Sequence, residues 1–339
     1  MTKRRSKLKI LIIVVLILAA VYLVLRIIPG HRAYKYDNPF LADGDLPLAF
    51  AHRGGSDEFP ENTLEAYYHA TSISKDIVLE TDVRLTKDGV LILLHDGTLD
   101  SNCNVTGEIK DINYTDLVAE RVNFGYDNDT EGGKLVGEPT LFTNRAGEVV
   151  TPLDVSYPEG VLPRDEEIFL VTRFDELLCA FPDNLISVEI KDEERGVETL
   201  HVLLSVIEEH DAFDRVLVAS FLEDVERECR RMVRRGEVSD RLMYTVSLNP
   251  SIGFIALDFF GLGSLFYSGA AAVHYPMEEF GFNIAKEGLV KAANKHNIAV
   301  HFFTIDDEDE MNTLIDIGAD GIMTDNPTTI DEVYRKREN

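Results

Sequence analysis

Short apolar segments alternate with amphipathic helical patterns along most of this chain. The strand candidates are residues 47–51, 77–85, 90–94, 186–190, 216–219, 242–246, 271–275, 298–303 and 321–323. Helical patterns between them include residues 62–74, 197–209, 222–235 and 288–295. This alternation predicts an α/β fold in which helices cover a parallel sheet. With about eight such strands, a closed TIM (β/α)8 barrel is favoured over an open doubly wound sheet.

Two stretches depart from the regular alternation. Segments 77–85 and 90–94 are separated by the turn signal Lys87-Asp88-Gly89, which predicts a β-hairpin. Residues 109–167 are polar and rich in Gly, Asp and Pro. We expect them to form an insertion that leaves the barrel on its βα-loop side. A loop this long in a compact domain is usually functional, mobile or a small subdomain.

The N-terminus has the pattern of a membrane anchor. The apolar stretch 10–28 approaches the ~20 residues that span a bilayer. The basic tail 1–9 predicts, by the positive-inside rule, a single-pass protein of the cell membrane with a cytoplasmic N-terminus and its main domain outside the cytoplasm. The alternative is a cleaved signal peptide, but the apolar run is long for one and no clear cleavage site follows. A linker at 29–45 then leads to the predicted barrel at 46–337.

Charge is distributed unevenly along the chain. The formal net charge is -27, yet residues 1–35 contain eight Lys or Arg and no acid, so the remaining 25 basic residues are set against all 60 acidic ones. The main domain therefore repels nucleic-acid phosphates, which argues against nucleic acid as a partner. Cys103, Cys179 and Cys229 are too few and too scattered for a disulfide framework or a zinc site. Nothing in the sequence indicates an oligomeric state.

Several predicted strands end in carboxylates. Side chains at the C-terminal ends of barrel strands converge on one face. Glu80 and Asp82 are two residues apart on a predicted buried strand, so both carboxylates point to one side and repel each other unless a cation neutralises them. A hard divalent ion accepts such ligands. Glu189 and Lys191 repeat this spacing at the end of segment 186–190, although such a pair is more often a structural ion pair.

Two histidines and an arginine also follow predicted strands. His52 and Arg53 come after the first strand, and His95 comes after the second strand of the hairpin. Cleavage of a phosphodiester needs a base for the attacking oxygen, an acid for the leaving oxygen and positive charge at the phosphoryl oxygens. A single histidine in a loop is more often structural. The prediction of phosphodiester chemistry therefore depends on the pair of histidines.

Six motifs that occur in order between residues 47 and 335 resemble a known family. They are Ala51-His52-Arg53-Gly54, Pro60-Glu61-Asn62-Thr63, Glu80-Thr81-Asp82-Val83, His95-Asp96-Gly97-Thr98-Leu99-Asp100, Glu189-Ile190-Lys191 and Asp320-Gly321-Ile322-Met323-Thr324-Asp325-Asn326-Pro327. Their order and spacing are similar to those of the glycerophosphodiester phosphodiesterase family, which has a TIM barrel of the PLC-like phosphodiesterase type. The resemblance implies metal-dependent hydrolysis of glycerophosphodiesters to glycerol 3-phosphate and an alcohol.

The same resemblance implies a role for each matching residue. By position, the resemblance implies that His52 and His95 are acid and base, in either order. It implies that Arg53 binds the phosphate with help from Lys191, and that Glu61 and Asn62 shape the edge of the site. The implied ligands of a Ca²⁺ or Mg²⁺ ion are Glu80, Asp82 and Glu189. An all-oxygen ligand set favours these two ions on chemical grounds as well. The expected substrate is a small phosphodiester or a lysolipid.

The chain departs from the family pattern at three places. Ser101-Asn102-Cys103 stands where the family usually has Arg-Thr-Thr, Leu170-Val171-Thr172-Arg173 replaces Ile-Pro-Thr-Leu, and Phe303 replaces a tryptophan beside the substrate. These changes leave leaving-group specificity open. One alternative is a lysophospholipase D-type activity, with the insertion forming an acyl groove. Another is a non-catalytic ligand-binding barrel, against which the intact histidines and carboxylates speak.

Overall fold

The computed structural model describes residues 2–28, 30–279 and 281–338. Met1, in the predicted tail, and Pro29, in the predicted linker, lie outside this described part. The chain begins with helix α1 at Thr2–Ile27, and its segment Ile10–Ile27 is exposed. Within the described residues, α1 is the one helix long and apolar enough to cross a membrane, a property that signal sequences share.

Strands and helices alternate through the rest of the chain. The strands are β1 Leu48–Ala51, β2 Val78–Leu85, β3 Leu91–Leu93, β4 Thr130–Glu131, β5 Lys134–Leu135, β6 Ile186–Ile190, β7 Val216–Ala219, β8 Met243–Tyr244, β9 Ala272–Tyr275, β10 Glu278–Glu279, β11 Phe282–Asn283, β12 Ala299–Phe302 and β13 Gly321–Thr324. The helices after α1 are α2 Leu64–Ile73, α3 Tyr114–Ala119, α4 Phe174–Ala180, α5 Gly196–Glu209, α6 Glu223–Arg235, α7 Leu248–Phe259, α8 Glu287–Asn294, α9 Glu308–Asp316 and α10 Pro327–Glu338.

Eight parallel strands form the barrel. Their order is β8-β7-β6-β2-β1-β13-β12-β9, and a parallel bridge between Thr245 and Ala272 joins the two ends. The sheet therefore closes, which confirms the predicted TIM barrel. β3 pairs antiparallel with β2, as the hairpin pattern predicts. The strands read as apolar runs because both of their faces are buried, one in the barrel and one under helices.

Helix α5 shows how the helices are held on the barrel. Its apolar residues Leu200, Leu203, Leu204 and Ile207 follow the helical period and are all buried. Each such side chain contributes about 1.5–3 kcal/mol when it is fully buried. The next helix, α6, ends at Gly236, which takes a left-handed conformation with φ of 66° and caps the helix through its backbone N–H. The strand ends, and hence the site, are positioned by this packing.

Residues 109–167 contain α3, the β4–β5 hairpin and long loops. Apolar side chains from this segment, including Leu117 and Phe124, pack with Leu99 and Phe169 in a cluster separate from the barrel core. The Arg145 backbone N–H of this segment donates to the carbonyl of Asp57 at 2.9 Å, and Asp57 follows β1, so the segment lies on the side of the barrel where strands lead into helices. It shares this hydrophobic cluster with residues outside the segment, such as Ile92 and Leu99, and borders the C-terminal ends of the strands.

The segment predicted as a linker packs across the N-terminal end of the barrel. The Asn38 side-chain amide donates to the carbonyl of Ala271 at 2.7 Å. Phe40 is fully buried, with its ring centroid 6.4 Å from that of Phe50 and its carbonyl 2.9 Å from His301 Nε2. The described residues 30–46 therefore close the end of the barrel opposite to the strand C-termini.

Replacing Phe40 by alanine should destabilise the barrel by about 3–5 kcal/mol, because the cavity left by a buried phenyl ring cannot collapse fully. Denaturant unfolding of the full chain in detergent measures this loss. Phe282, which is 73% exposed, provides the control: Phe282→Ala should change stability by less than about 0.5 kcal/mol. Equal unfolding midpoints for the two variants would show that the segment adds nothing to the fold.

Candidate active site

A small cavity of about 230 Å³ opens at the C-terminal ends of the barrel strands. The residues that line it lie on or directly after eight different strands. They are His52, Arg53, Glu80, His95, Glu189, Lys191, Phe221, His274, Phe303, Thr304 and Met323. The structure therefore brings together at one cavity residues that are more than 250 positions apart in sequence, on the face where barrel enzymes carry their chemistry.

A tight turn after β1 positions His52 and Arg53. Arg53 has a φ of 53°, and Gly54 and Gly55 have φ values of 91° and 96°. A Cβ at Gly54 would lie 2.7 Å from Ala66 Cβ, and one at Gly55 would lie 2.6 Å from Pro327. Only glycine combines the left-handed backbone with these close approaches. The two glycines therefore let the chain reverse directly beside the site.

Three carboxylates form one cluster on the cavity floor. Asp82 of β2 is the direct register partner of Glu189 on β6, and Glu80 lies two residues before Asp82 on the same face. One oxygen from each carboxylate lies within 4.8 Å of the others. Glu80 and Asp82 are buried, so water screens their repulsion little. Oxygen donors at this spacing fit a hard divalent cation.

The pKa values within the cluster reflect this crowding. Burial, together with the negative charge of Asp82, raises the pKa of Glu80 to about 7. Burial also acts to raise the pKa of Asp82, but the charges of Lys191 and Arg53 outweigh it and hold that pKa below its ordinary value. Repulsion from Asp82 is thus one of the causes that raise the pKa of Glu80, and a bound cation would relieve it.

Two cationic side chains border the carboxylates. Lys191 Nζ lies 2.9 Å from Glu189 Oε1 and 3.4 Å from Asp82 Oδ1. Arg53 Nη1 donates to Glu61 Oε2 at 2.7 Å. Arg53 Nε lies 3.2 Å from Asp82 Oδ2 but has no hydrogen-bond partner among the described residues. Both cations therefore stand at the cavity with donors that can face an anionic group of a ligand.

The two predicted histidines have different partners. His52 Nδ1 lies 2.6 Å from Asp325 Oδ1, and its Nε2 lies 4.0 Å from Glu80 Oε2. Burial alone would lower the pKa of His52, but the bond to Asp325 and the charge of Glu80 outweigh it and raise the pKa to about 9. His95 Nδ1 lies 2.8 Å from Asp96 Oδ1. Each imidazole is thus oriented by a carboxylate and lines the cavity.

Two supporting residues, Asp325 and Arg84, are given no role by the sequence, whereas a third, Asn62, is among the predicted site residues. Asp325 orients His52, as described above. Arg84 Nε donates to the carbonyl of His95 at 2.8 Å and so holds the second histidine. Asn62, which the sequence places at the edge of the site, is buried and donates through Nδ2 to Asp82 Oδ2 at 3.2 Å. Its position behind the carboxylate suits it to orienting Asp82.

An aromatic pair forms one wall of the cavity. Phe303, at the end of β12, and Phe221, after β7, have ring centroids 5.8 Å apart. Both rings line the space above the carboxylates. The wall gives the cavity an apolar side opposite its charged floor, where the part of a ligand that is not charged can lie.

The barrel carries three clustered carboxylates, two histidines and two cations on the face where barrel enzymes have their active sites, an arrangement that suits a phosphodiester hydrolase. Residues 52–329 match the glycerophosphoryl diester phosphodiesterase family. Because this match covers most of the chain, the chain belongs to that family and is an enzyme of this class. Family membership also decides against the non-catalytic barrel.

Individual relatives agree with this assignment. A glycerophosphodiester phosphodiesterase of Caldanaerobacter subterraneus subsp. tengcongensis is 29% identical over 294 residues, covering 85% of this chain and 98% of the relative. Lysophospholipase D GDPD3 of Mus musculus is 22% identical over 335 residues, covering 94% and 90%. Among solved structures, an Oleispira antarctica phosphodiesterase in complex with sn-glycerol-3-phosphate has a TM-score of 0.60 at 21% identity, covering 86% of this chain and 97% of that one.

Proposed function

We propose that this chain hydrolyses glycerophosphodiesters to glycerol 3-phosphate and an alcohol, using a divalent cation held by Glu80, Asp82 and Glu189. The observation that carries the proposal is the cluster itself: three carboxylates lie within 4.8 Å of one another, and two of them, Glu80 and Glu189, line the same cavity as the two histidines. The oxygen ligands favour Ca²⁺ or Mg²⁺. Such an ion, when bound, would offset the negative charge of the phosphodiester.

Arg53 and Lys191 complete the charge balance at the phosphate. Their cationic groups lie beside the carboxylates that would hold the ion, so a phosphate placed over the cluster meets positive charge from both sides. Preorganised donors of this kind stabilise the charge that develops on the phosphoryl oxygens during P–O cleavage. Glu61 fixes the Arg53 guanidinium, and Asn62 fixes Asp82.

The two histidines would move the protons. His52, with a pKa raised to about 9, is protonated at neutral pH and suited to donate a proton to the leaving alcohol oxygen. His95 would then accept the proton of the attacking oxygen, which belongs either to water or to the vicinal hydroxyl of the glycerol. Phe303 and Phe221 would lie against the uncharged part of the substrate.

We also propose that α1 anchors the enzyme in the cell membrane. The apolar segment Ile10–Ile27 is exposed, which suits contact with lipid. The basic residues before it favour a cytoplasmic N-terminus, so the barrel lies on the extracytoplasmic side. Nucleic acid is no partner in this proposal, and the oligomeric state is left to measurement.

An assay of glycerol 3-phosphate release from glycerophosphocholine tests the function. EDTA should abolish turnover, because the three carboxylates then repel one another and leave the phosphate charge unbalanced. Adding Ca²⁺, Mg²⁺ or Mn²⁺ in turn should restore it and identify the ion. Turnover that EDTA leaves unchanged would contradict the cation site, and no release from any glycerophosphodiester would contradict the function.

Replacing Asp325 by asparagine should lower kcat by about 10–100-fold, the usual cost of losing a group that orients a reacting one. The carboxylate raises the pKa of His52, so its loss lowers that pKa. If protonated His52 is the acid, activity falls as pH rises through this pKa. The alkaline limb of the pH–rate profile should therefore move to lower pH in Asp325→Asn. If the alkaline limb of the pH–rate profile does not move in Asp325→Asn, the assignment of His52 as the acid is contradicted. The control is Asp316→Asn, which makes the same change at an exposed position.

A second candidate substrate class is lysophospholipids, favoured by the Phe221–Phe303 wall and by the match to a lysophospholipase D. An acyl chain would lie along this wall or along the neighbouring insertion. Comparing kcat/KM for glycerophosphocholine and lysophosphatidylcholine separates the two. A higher value for the lysolipid would make the enzyme a lysophospholipase D.

A further inference from the structure

The N-terminal end of the barrel carries an exposed aromatic patch, formed by Phe259, Phe260 and Tyr267. These side chains are 79%, 61% and 71% exposed. They lie where the chain leaves α7 and returns to β9, which is the end of the barrel opposite to the candidate active site. Large aromatic side chains that are exposed to solvent to this extent indicate an interaction surface.

The segment around the aromatic patch is nearly free of charge. Residues 242–277 contain Asp258 as their only Asp, Glu, Lys or Arg. Burial raises the pKa of Asp258, and the nearby charges of Lys286 and Lys295 act against that rise. The rest of the domain is strongly acidic and would be repelled by anionic lipid. Apolar contact with a bilayer therefore costs less at the aromatic patch than at the acidic parts of the surface.

Contacts with the end of α1 hold the aromatic patch in place. The Tyr22 hydroxyl donates to the carbonyl of Phe260 at 2.8 Å. A Cβ at Gly261 would lie only 3.2 Å from Arg26 Nε. The His31 ring stacks on Tyr267, with centroids 4.8 Å apart. The aromatic patch therefore lies level with the last turns of the apolar helix.

The length of the helix sets the depth of this contact. Segment Ile10–Ile27 has 18 residues, or about 27 Å of helix at about 1.5 Å per residue. This nearly equals the ~30 Å hydrocarbon core of a bilayer. The end of the helix then lies at the outer membrane interface, and Tyr22 and Arg26, both within about 8 Å of that end along the helix, are residue types that favour the interface. Residues bonded to Tyr22 must lie at the same level.

We propose that the aromatic patch docks on the bilayer that α1 crosses. The N-terminal end of the barrel then contacts the membrane, and the active site faces away from it. Helix α5, 14 residues long, shows that the two ends of the barrel are separated by about 20 Å. The enzyme then takes its diesters from the aqueous side, as soluble or polymeric glycerophosphodiesters, and not from the leaflet beneath it. This inference rests on the proposed anchor and deepens the proposed function.

The absence of tryptophan from the chain permits a direct test. The full chain with Phe260→Trp is placed in nanodiscs of phosphatidylcholine and phosphatidylglycerol that contain a lipid spin-labelled near its headgroup. Tryptophan emission should fall roughly twofold or more, as expected for a ring at the interface. Tyr267→Trp should respond in the same way, which protects the test against misfolding of one variant. Leu162→Trp, at an 82% exposed position of the insertion, is the control and should not be quenched.

Other outcomes overturn the inference. If Leu162→Trp is quenched and Phe260→Trp is not, the active-site end of the barrel faces the bilayer. If neither variant is quenched, the barrel does not contact the bilayer. Loss of α1 from the mature chain, detected by mass spectrometry, would remove the basis of the inference. Glycerol 3-phosphate release in the same nanodiscs is scored separately. If Phe260→Trp is quenched but the protein releases no glycerol 3-phosphate, the proposed function is contradicted and the docking is still supported.

Discussion

Replacing His52 or His95 by alanine should lower kcat for glycerophosphocholine by about 10²–10⁴-fold, the usual contribution of a positioned proton donor or acceptor. Both imidazoles line the cavity above the carboxylates, and each is held by its own carboxylate partner. Without His52 the leaving alcohol must depart as an alkoxide, and without His95 the attacking oxygen keeps its proton. Initial rates at saturating substrate measure each loss.

The matched control is His201→Ala. His201 is half-exposed on α5 and pairs with Glu228 at 3.0 Å, away from the cavity. This variant should keep the activity of the unchanged chain. Losses of equal size in all three variants would point to a general effect on folding. Unchanged activity in both His52→Ala and His95→Ala would end the assignment of these residues as acid and base.

Asp82→Asn should lower kcat by about 100-fold or more, since losing a metal ligand costs at least as much as losing a residue behind it. Asp82 is 1% exposed and is approached by Lys191, Arg53 and the amide of Asn62. Its replacement removes one negative charge and one oxygen ligand. The affinity for the activating ion, measured by titration calorimetry, should fall together with kcat.

The exposed Asp111→Asn variant has the same change in charge and should bind the ion normally. Raising the ion concentration should recover part of the activity of Asp82→Asn if its defect lies in binding. If Asp82→Asn binds the ion with wild-type affinity, Asp82 is not a ligand. If tight ion binding also persists in Glu80→Gln and Glu189→Gln, the cation site lies elsewhere in the protein.

The barrel could be predicted from sequence because its signals are local. Each strand of the barrel is a short apolar run between helices, and the strand bounds observed differ from the predicted ones by two residues at most. The residues of the cavity could be predicted for the same reason. Polar side chains such as Glu80 and Glu189 interrupt or end apolar strands, and a closed barrel brings those ends together.

The remaining features depend on contacts between distant segments. The bond of Asp325 to His52 joins residues 273 positions apart, and no local pattern marks it. Residues 29–45 are predicted as a linker, yet Phe40 packs against Phe50 of β1 and its carbonyl contacts His301 of β12. The aromatic patch could not be predicted from sequence either, because its proposed role depends on its contact with α1. Side chains whose role is set by a remote partner are seen only in the folded chain.

The most direct test of the central claim follows the products of glycerophosphocholine by ³¹P NMR, with the full chain and the ion that restores activity. We expect the diester signal to be replaced by that of glycerol 3-phosphate, with choline released in equal amount. The appearance of phosphocholine and glycerol, or a diester signal that persists with every divalent ion, would contradict it.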